Sequence, residues 1–593
     1  MPDAREQDEV LGRAFDRRLT ARLWATARPH RRLILGATAL FPLIAAVELA
    51  QPYLLKVAID DHILAGDWLG LTRVAALYVG TLVVLYGLHM VEAYLMALTG
   101  QRVVHDLRET LVGHLLRLEA RFFDVNPVGR LMTRVLNDVE AVSEAFTSGL
   151  FAIVADVVTL AGVVAVMLWM DWRLALVTYS IVPVLLAAAS YFRIRARDAY
   201  REVRTRLARL NAFLQESLQG MTVIQLFARE RDEHARFRTL NREYRRALFG
   251  STIFEASLYA SVEALGSVAL ALLVWYGGGQ IVTGHLTFGA LVAFIQYTNR
   301  FFLPIRDLGA KYTVMQSAMA SAERIFDLLD REPGIVSPPA PRLPHAGARG
   351  AVSFRSVWFA YHDEQWVLQD CTFDVAPGEH VALVGATGEG KSTCARLINR
   401  SYDVMRGQVL VDGVDVREWD LRRLRRHVGI IFQDTVLFTG TVEANLVLDG
   451  RAGAPSRAEL ETMVAAANAL DVVRVLPGGF DALLSERGSN LSHGQRQLLA
   501  IARAVVYNPA VLVLDEATSS VDPESEWMIR EGMKRLLTGR TTLTIAHRLS
   551  TIQAADRILV LHRGRVHEQG SHGELLRLGG LYARLHELQT REA

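Results

Sequence analysis

Six long apolar runs fill much of the first 330 residues and constrain the fold of this chain more than any other feature. They lie near residues 33–57, 71–97, 147–170, 173–194, 251–282 and 287–308. A helix of about 20 apolar residues is long enough to cross the hydrocarbon core of a bilayer. Because so many runs follow one another, membrane-spanning helices are favoured over buried helices of a soluble domain. The sequence therefore predicts an all-α transmembrane domain of six helices.

The spacing of the runs predicts their orientation. Long arginine-rich stretches, near 98–146 and 195–250, separate the second run from the third and the fourth from the fifth. The short gaps, such as 60–69 and 277–287, contain no lysine or arginine. Positively charged loops remain in the cytoplasm, so we expect the long stretches and both termini there. We expect the long stretches to be helices that extend past the bilayer and turn near 124–127 and 216–224.

The chain changes character after the last apolar run. Residues 331–350 are rich in proline and glycine and predict a linker. Beyond them, short strand-like runs such as Val381–Val384, Val511–Leu514 and Thr541–Ile545 alternate with helical segments, which indicates a mainly parallel sheet. The predicted domains are a cytoplasmic N-terminal segment (1–30), the transmembrane domain (31–330), the linker (331–350) and a soluble α/β domain (351–593). The first segment mixes acids with arginines and lacks the apolar core of a signal peptide.

Composition excludes two other kinds of protein. The formal net charge of +2 argues against binding nucleic acid through bulk charge. The cysteines number two, Cys371 and Cys394, so neither a disulfide scaffold nor a zinc cluster is indicated.

A phosphate-binding loop is the strongest motif of the soluble domain. Gly385–Thr393 reads GATGEGKST, directly after a strand-like run and before a helical segment. Glycines let backbone N–H groups close around phosphates, lysine supplies a charge, and the serine hydroxyl can bind Mg²⁺. The predicted ATP-binding residues of the loop are Gly385, Thr387, Gly388, Glu389, Gly390, Lys391, Ser392 and Thr393. A chance glycine-rich turn is the alternative interpretation, which the flanking elements disfavour.

A second motif, a pair of acidic residues, follows the buried strand-like run Val511–Leu514. Asp515 is predicted to hold Mg²⁺, and Glu516 to polarise the attacking water. Seen alone, the pair could be an ordinary acidic turn; together with the phosphate loop it indicates a nucleoside triphosphatase.

The segment Leu491–Gln495, which reads LSHGQ, resembles the LSGGQ signature of ATP-binding cassette (ABC) proteins. With six spans ahead of the cassette, nearly the whole chain resembles a type IV exporter half, a membrane all-α domain followed by a soluble α/β P-loop ATPase. The resemblance implies ATP and Mg²⁺ as cofactors. It further implies an adenine-stacking role for Tyr361, catalytic roles for Gln433 (which also reaches Mg²⁺) and His547, and interface roles for Glu486 and Asp522.

The resemblance also implies a dimer, in which Ser492, His493, Gly494 and Gln495 act on the nucleotide of the partner. His493 stands where the family has glycine. This signature resembles that of the catalytically complete subunit of bacterial heterodimeric multidrug exporters, whose partner often lacks the catalytic glutamate. The expectation is therefore a heterodimer in the bacterial inner membrane that exports hydrophobic or amphiphilic substrates, drugs in particular. The alternatives are a homodimer that tolerates His493, acting as a lipid flippase or a peptide exporter.

Ionisable residues inside spans are costly and so are candidates for function. The predicted substrate-cavity residues are Glu48, Glu92, Asp156, Glu255, Glu263 and Tyr297. Acids beside aromatic faces would favour lipophilic cations. Alternatively, these acids lie at the membrane edge or pair with arginines. Among other classes, the spans exclude a soluble cassette ATPase, and the hydrolytic residues disfavour a nucleotide-gated channel.

Overall fold

The computed structural model describes residues 16–345, 349–432, 435–448, 455–515, 523–546 and 552–592. The chain divides into two units. A helical unit contains the described residues up to Leu116 together with Val128–Arg331. An α/β unit contains Arg117–Pro127 together with the described residues from Glu332 onward.

Twelve described α-helices precede the first strand, and all but α4 belong to the helical unit. They are α1 (Arg17–Ala27), α2 (Arg31–Val57), α3 (Trp68–Leu115), α4 (Ala120–Val125), α5 (Val128–Thr133), α6 (Val139–Glu144), α7 (Ala152–Met170), α8 (Trp172–Tyr179), α9 (Val182–Gln219), α10 (Met221–Leu226), α11 (Glu230–Val282) and α12 (Phe288–Leu329). Wider π-type turns at 58–63, 134–138 and 145–151 join several of them.

Polar caps in the short gaps start three of these helices. Asp67 accepts the Gly70 backbone N–H before α3, and Thr287 accepts that of Ala290 before α12. Asp171 separates α7 from α8 and caps the latter through two backbone N–H groups. A side-chain oxygen at this position satisfies donors that the first helical turn leaves free. At Asp171 a single residue therefore both ends one helix and begins the next.

Five helical stretches among the described residues are long and apolar enough to cross a membrane: Arg17–Ile63, Trp68–Leu115, Val128–Met170, Trp172–Phe192 and Glu230–Val282. Helix α12, which contains the predicted sixth span, is not among them. The polar run at 296–300, which ends in Arg300, lowers its mean hydropathy. Length and hydropathy alone therefore do not identify α12 as a span.

The predicted span 173–194 is not one helix. Helix α8 ends at Tyr179 and α9 begins at Val182, with Pro183 in the first turn of α9. Proline has no backbone N–H and fixes φ, so it suits a first turn and disrupts a helix interior. The break at 180–181 lies within the candidate membrane-crossing stretch Trp172–Phe192, which overlaps the predicted span.

The described part of the α/β unit contains two larger sheets and one two-stranded sheet. Its strands are β1 (Val352–Ala360), β2 (Trp366–Val375), β3 (His380–Val384), β4 (Arg406–Val411), β5 (Val414–Asp415), β6 (Val428–Ile431), β7 (Gly440–Thr441), β8 (Leu483–Leu484), β9 (Val511–Asp515), β10 (Thr541–Ile545), β11 (Arg557–His562) and β12 (Arg565–Gly570). The main sheet has the order β12-β11-β3-β10-β9-β6, with only β12 antiparallel. A second sheet, β2-β1-β4-β5, is antiparallel, and the two-stranded sheet is β7-β8.

Helices accompany these strands. They are α13 (Lys391–Ile398), α14 (Leu421–His427), α15 (Val442–Leu446), α16 (Arg457–Ala466), α17 (Leu470–Val475), α18 (His493–Tyr507), α19 (Pro523–Leu537), α20 (His572–Leu578) and α21 (Leu581–Glu592). In the main sheet, β10 lies between β3 and β9. Because all three strands are parallel, their carboxyl ends meet at one edge of the sheet, which is where ligands bind in open α/β sheets.

A buried ion pair joins α12 to the π-type turn at 134–138. Asp138 is 5% exposed and accepts hydrogen bonds from Arg324 Nε (3.0 Å), Arg324 Nη2 (2.5 Å) and Ser321 Oγ (3.0 Å). Three donors satisfy a carboxylate that would otherwise pay a large desolvation penalty.

We expect Asp138→Ala to destabilise the helical unit by about 2 kcal/mol, because it removes the buried acceptor of hydrogen bonds from Arg324 and Ser321. The matched control is Glu140→Ala, whose exposed pair with Arg108 contributes little. The thermal unfolding midpoint in detergent measures both changes. Equal midpoints for the two variants would contradict the role assigned to Asp138.

Candidate functional site

The phosphate loop follows β3 at the carboxyl edge of the main sheet. Gly388 (φ 90°) and Gly390 (φ 97°) adopt left-handed backbone conformations that side chains disfavour. A Cβ atom at Gly390 would lie 2.6 Å from Leu368 Cδ2, and one at Gly385 would lie 2.5 Å from the Leu561 carbonyl oxygen. Glycine is therefore required at these positions for the loop to close onto its neighbouring strands.

The loop ends in the first turn of α13. Gly390 is the N-cap of this helix, and no side chain caps it. The free N–H groups and the positive end of the helix dipole form a binding site for a phosphate. Residues 386–388 and Ser392 are exposed, so the loop backbone and a hydroxyl group are accessible. This arrangement fits the triphosphate of ATP.

Lys391 supplies the positive charge of the site. Its side chain is 5% exposed, and Nζ donates to the carbonyl oxygens of Gly385 (2.7 Å) and Ala386 (2.8 Å). Burial lowers the pKa of the Lys391 ammonium, and the carboxylates of Glu389 and Asp515 partly oppose this shift. A desolvated ammonium gains most from an anionic ligand, since Coulomb attraction strengthens as the local dielectric falls.

The carboxylate of Glu389 is engaged away from the loop. It accepts the backbone N–H of Arg563 and lies 3.3 Å from Nδ1 of His562. His562 ends β11, and Arg563 lies in the turn that leads to β12. Glu389 therefore ties the loop to the neighbouring hairpin.

The predicted hydrolytic residues are described only in part. Asp515 is the last residue of β9, two strands from β3, and it emerges at the same edge of the sheet as the loop. Gln433, Glu516, Asp522 and His547 lie outside the described residues, and their roles stay predictions.

Tyr361 lies directly after β1 and contacts α13. Its hydroxyl is 3.1 Å from Thr393 Oγ1, and its ring packs edge-on against Phe359 and Tyr402. The Arg396 guanidinium lies 5.9 Å from the ring centroid. The predicted adenine platform is therefore fixed to the first turn of the phosphate-loop helix.

Short helix α4 packs next to this platform. Tyr402 donates a hydrogen bond from its hydroxyl to Asp124, and Arg396 Nη1 lies 3.9 Å from the same carboxylate. Arg121 Nη2 donates to the Tyr361 carbonyl oxygen at 3.4 Å. Burial and the bond to Asp124 raise the pKa of the Tyr402 hydroxyl, so it stays a donor. The sequence predicted a turn at 124–127, where Asp124 precedes Asn126 and Pro127, but not the contacts that Asp124 makes.

The signature residues form the start of α18. The Ser492 hydroxyl accepts the Gln495 backbone N–H (3.2 Å), and Gln495 Oε1 accepts the Ser492 backbone N–H (2.9 Å), a reciprocal cap. His493 occupies the first helical position, and its Nε2 lies 3.0 Å from Gln497 Nε2. Gly494 is buried. Glu486 is exposed, in a 3₁₀ turn that precedes this segment.

The structure gathers only some of the predicted cavity residues. Glu48 and Glu92 both contact His89, whereas Asp156 pairs with Lys311. Glu255 accepts a hydrogen bond from the Tyr200 hydroxyl at 3.1 Å. Two further predicted residues lie apart from these acids: Glu263 is exposed on α11, and the buried Tyr297 donates to the Leu49 carbonyl oxygen. Pairing with an arginine, the alternative interpretation, applies to Glu48, which lies 3.8 Å from Arg300, whereas the partner of Asp156 is a lysine.

Two family models match separate parts of the chain, and known proteins match nearly all of it. The family described as "ABC transporter transmembrane region" matches residues 34–305, and "ABC transporter" matches 368–519. The uncharacterized ABC transporter ATP-binding protein YknV of Bacillus subtilis is 36% identical over 99% of this chain and 97% of its own. An ATP-dependent lipid A-core flippase of Thiobacillus denitrificans is 36% identical over 97% of this chain and 98% of its own. The putative multidrug export protein YgaD of Bacillus subtilis is 35% identical over 95% and 98%.

A solved structure is similar over the same extent. The structure of a bacterial Atm1-family ABC exporter with ATP bound has a TM-score of 0.76 and 33% identity, and the alignment covers 94% of this chain and 98% of that one. This chain and the Atm1-family exporter are therefore similar in sequence as well as in fold.

We expect Gly390→Ala to weaken ATP binding at least tenfold, because the new Cβ would meet Leu368 and Val367 in a backbone conformation that alanine disfavours. Equilibrium binding of ATP to the full chain measures this effect. Gly573→Ala is the control, since its nearest neighbour is the flexible end of Arg577 at 3.7 Å. Unchanged affinity in Gly390→Ala would contradict the assignment of the loop.

We expect Asp124→Ala to reduce the stimulation of ATPase activity by transported substrate while ATP binding persists. The substitution removes the acceptor of Tyr402 and the counter-ion of Arg396, both next to Tyr361. The control is Asp471→Ala, an exposed acid paired with Arg474 in the same unit. Full stimulation in Asp124→Ala would show that α4 is not involved.

Proposed function

Since the chain belongs to the ABC transporter family, as both family matches and its full-length relatives show, we propose that it is the hydrolysing half of an unequal exporter dimer. The chain is a membrane-spanning ABC exporter with an ATP-binding domain. The proposed cargo is hydrophobic or amphiphilic small molecules, drugs among them, taken from the cytoplasm or the inner leaflet. The proposed site is the bacterial inner membrane, with both termini in the cytoplasm.

Hydrolysis is proposed to proceed on the phosphate loop of this chain. Lys391 and the backbone of residues 386–390 would hold the β- and γ-phosphates, and Tyr361 would support the adenine. Ser392, Asp515 and Gln433 would hold Mg²⁺, which when bound neutralises charge on the phosphates. Glu516 would orient the attacking water as a general base, and His547 would contact the γ-phosphate.

The main support for an unequal dimer is the histidine at position 493. A helix N-terminus that approaches a nucleotide on another chain is least obstructed when its first positions are glycine. Here an imidazole occupies the first position of α18 and contacts Gln497. The site that this signature completes would therefore contain a histidine where the family has glycine. A heterodimer confines His493 to one of its two sites, whereas a homodimer would place it in both.

A lipid substrate is the second candidate. It rests on the relative named as a lipid A-core flippase, which aligns over nearly the full length of the chain. A lipid with an acidic headgroup would need basic groups within the spans, and Arg300 is one such group. Fluorescent-lipid flipping in proteoliposomes, compared with uptake of an amphiphilic dye, separates the two cargo classes.

We expect the full chain, purified with an affinity tag from its own membrane, to bring down a second half-transporter in equal amount. Mass spectrometry of the intact complex measures the stoichiometry. In that complex His493→Gly should leave turnover on the phosphate loop of this chain nearly unchanged, because His493 lies in the other site. A stable dimer of this chain alone, with strong drug-stimulated ATPase activity, would contradict the unequal dimer.

A further inference from the structure

Exposed arginines follow one another along α1 and into the start of α2. Arg17, Arg28, Arg31 and Arg32 are all exposed, and Trp24, which lies between the first two in sequence, is 46% exposed. Positions seven and four residues apart share one face of a helix, so residues 17, 24 and 28 lie on the same side of α1 and its C-cap. We call these four arginines and the tryptophan the basic strip.

Contacts on the other side of α1 hold this helix against its own unit. Leu23 is buried, and Arg22 donates to both carboxylate oxygens of Asp330, at 2.6 and 2.7 Å, where α12 ends. Directly after α1, Nε2 of His30 lies 2.8 Å from the carboxylate of Asp106 on α3. The basic strip is therefore left on the side of α1 that faces away from these contacts.

The basic strip lies where the first candidate span begins. Helix α2 starts at Arg31, within the stretch Arg17–Ile63 that is long and apolar enough to cross a membrane. The apolar run begins at residue 33, and Leu35 is 65% exposed. At 1.5 Å per residue, Leu35 lies only about 4.5 Å beyond Arg32 along the helix axis. Because the exposed surface changes from basic to apolar over this distance, the arginines lie at the depth of lipid headgroups.

The charge of the basic strip is unbalanced within the described part of the chain. No ion pair joins its four arginines to another described residue. Nearby acids are engaged: Asp16 accepts two backbone N–H groups at the start of α1, and Asp106 and Asp330 have the partners given above. A guanidinium group donates two parallel hydrogen bonds to a phosphate, and basic residues beside a span attract anionic headgroups. The basic strip is therefore complementary to an anionic phosphate in both charge and hydrogen bonding.

We propose that the basic strip binds the headgroups of anionic phospholipids in the adjoining membrane leaflet. The arginines donate to phosphate oxygens, and the indole of Trp24 lies among the headgroups, the depth at which tryptophan is enriched in membrane proteins. The inference rests on the proposed membrane location. It concerns a lipid that stays in the membrane and not the exported cargo.

The test compares two phospholipids with identical acyl chains, phosphatidylglycerol with net charge −1 and phosphatidylcholine with none. Native mass spectrometry of the full chain in detergent, with any copurified partner, counts the bound molecules of each lipid as its concentration is raised. We expect the wild type to bind phosphatidylglycerol at least tenfold more tightly than phosphatidylcholine, since several arginines contribute.

Variants of the basic strip should separate charge from apolar contact. Arg28→Gln and Arg31→Gln should each weaken phosphatidylglycerol binding about fivefold and leave phosphatidylcholine binding unchanged. Trp24→Ala should weaken the binding of both lipids by the same factor, because its contacts do not depend on headgroup charge. If one of these variants is not monodisperse, Arg17→Gln and Arg32→Gln take its place.

The matched controls are Arg204→Gln and Arg209→Gln, which remove the same charge from exposed positions on α9. Position 204 is 12 residues past the end of the apolar stretch Trp172–Phe192, about 18 Å along the helix and beyond the headgroups of that leaflet. Both controls should bind the two lipids as the wild type does.

Three results would overturn the proposal. Equal wild-type affinity for the two lipids would mean that the arginines set only the orientation of the first span. An equal loss in the α9 controls would mean that overall charge, and not the basic strip, attracts the lipid. A preference for phosphatidylglycerol that emerges only after Asp3, Glu6, Asp8 and Glu9 are replaced by amides would mean that the N-terminal segment occupies the strip.

Failure of this inference and failure of the proposed function are distinguishable. ATP-driven export by a chain without any preference between the two lipids would refute the inference and leave the proposed function standing. The expected lipid preference in a chain that exports nothing with ATP would refute the proposed function alone.

Discussion

The phosphate loop depends on the hydrogen bonds between the buried Lys391 ammonium and the carbonyl oxygens of the loop. The loop can wrap around this ammonium only because glycine occupies positions 388 and 390. The strand before it and the helix after it belong to the packed core of the parallel sheet, so the charge has a fixed place. An anionic ligand is the natural partner for a cation held in this way. The phosphate site follows from this arrangement.

Contacts continue from the loop to the segment between α3 and α5. Thr393 contacts Tyr361, Tyr361 packs on Tyr402, and Tyr402 donates to Asp124 on α4. Every member of this series belongs to the α/β unit, although α4 comes early in the chain. The predicted adenine platform is therefore linked to α4 through four contacting residues.

The parts that sequence predicted are those governed by local rules. The phosphate loop depends on glycine spacing within nine residues, and the helix starts depend on single caps such as Asp171. The hydrogen bond between His493 and Gln497 follows the i, i+4 spacing of a helix and was within reach of sequence reasoning. The break before α9 also had a local signal, Pro183, that the hydropathy of the segment obscured.

The parts that sequence missed depend on tertiary contacts between distant residues. Arg300 meets Glu48 and Gln51 across about 250 positions, and Asp124 meets Tyr402 across 278. Hydropathy predicted acids inside spans but not which cations they face, so Asp156 and Glu48 looked equivalent. The structure gives them different partners, since Asp156 pairs with Lys311 while Glu48 lies near Arg300 and shares His89 with Glu92.

Hydrolysis on the loop of this chain is proposed to drive export. ATP-dependent uptake of a fluorescent amphiphilic dye by inside-out membrane vesicles that contain the complex tests this, with wild type compared to Glu516→Gln. The variant should still bind ATP but accumulate no dye above the level seen without ATP. Undiminished uptake by Glu516→Gln would contradict this proposal.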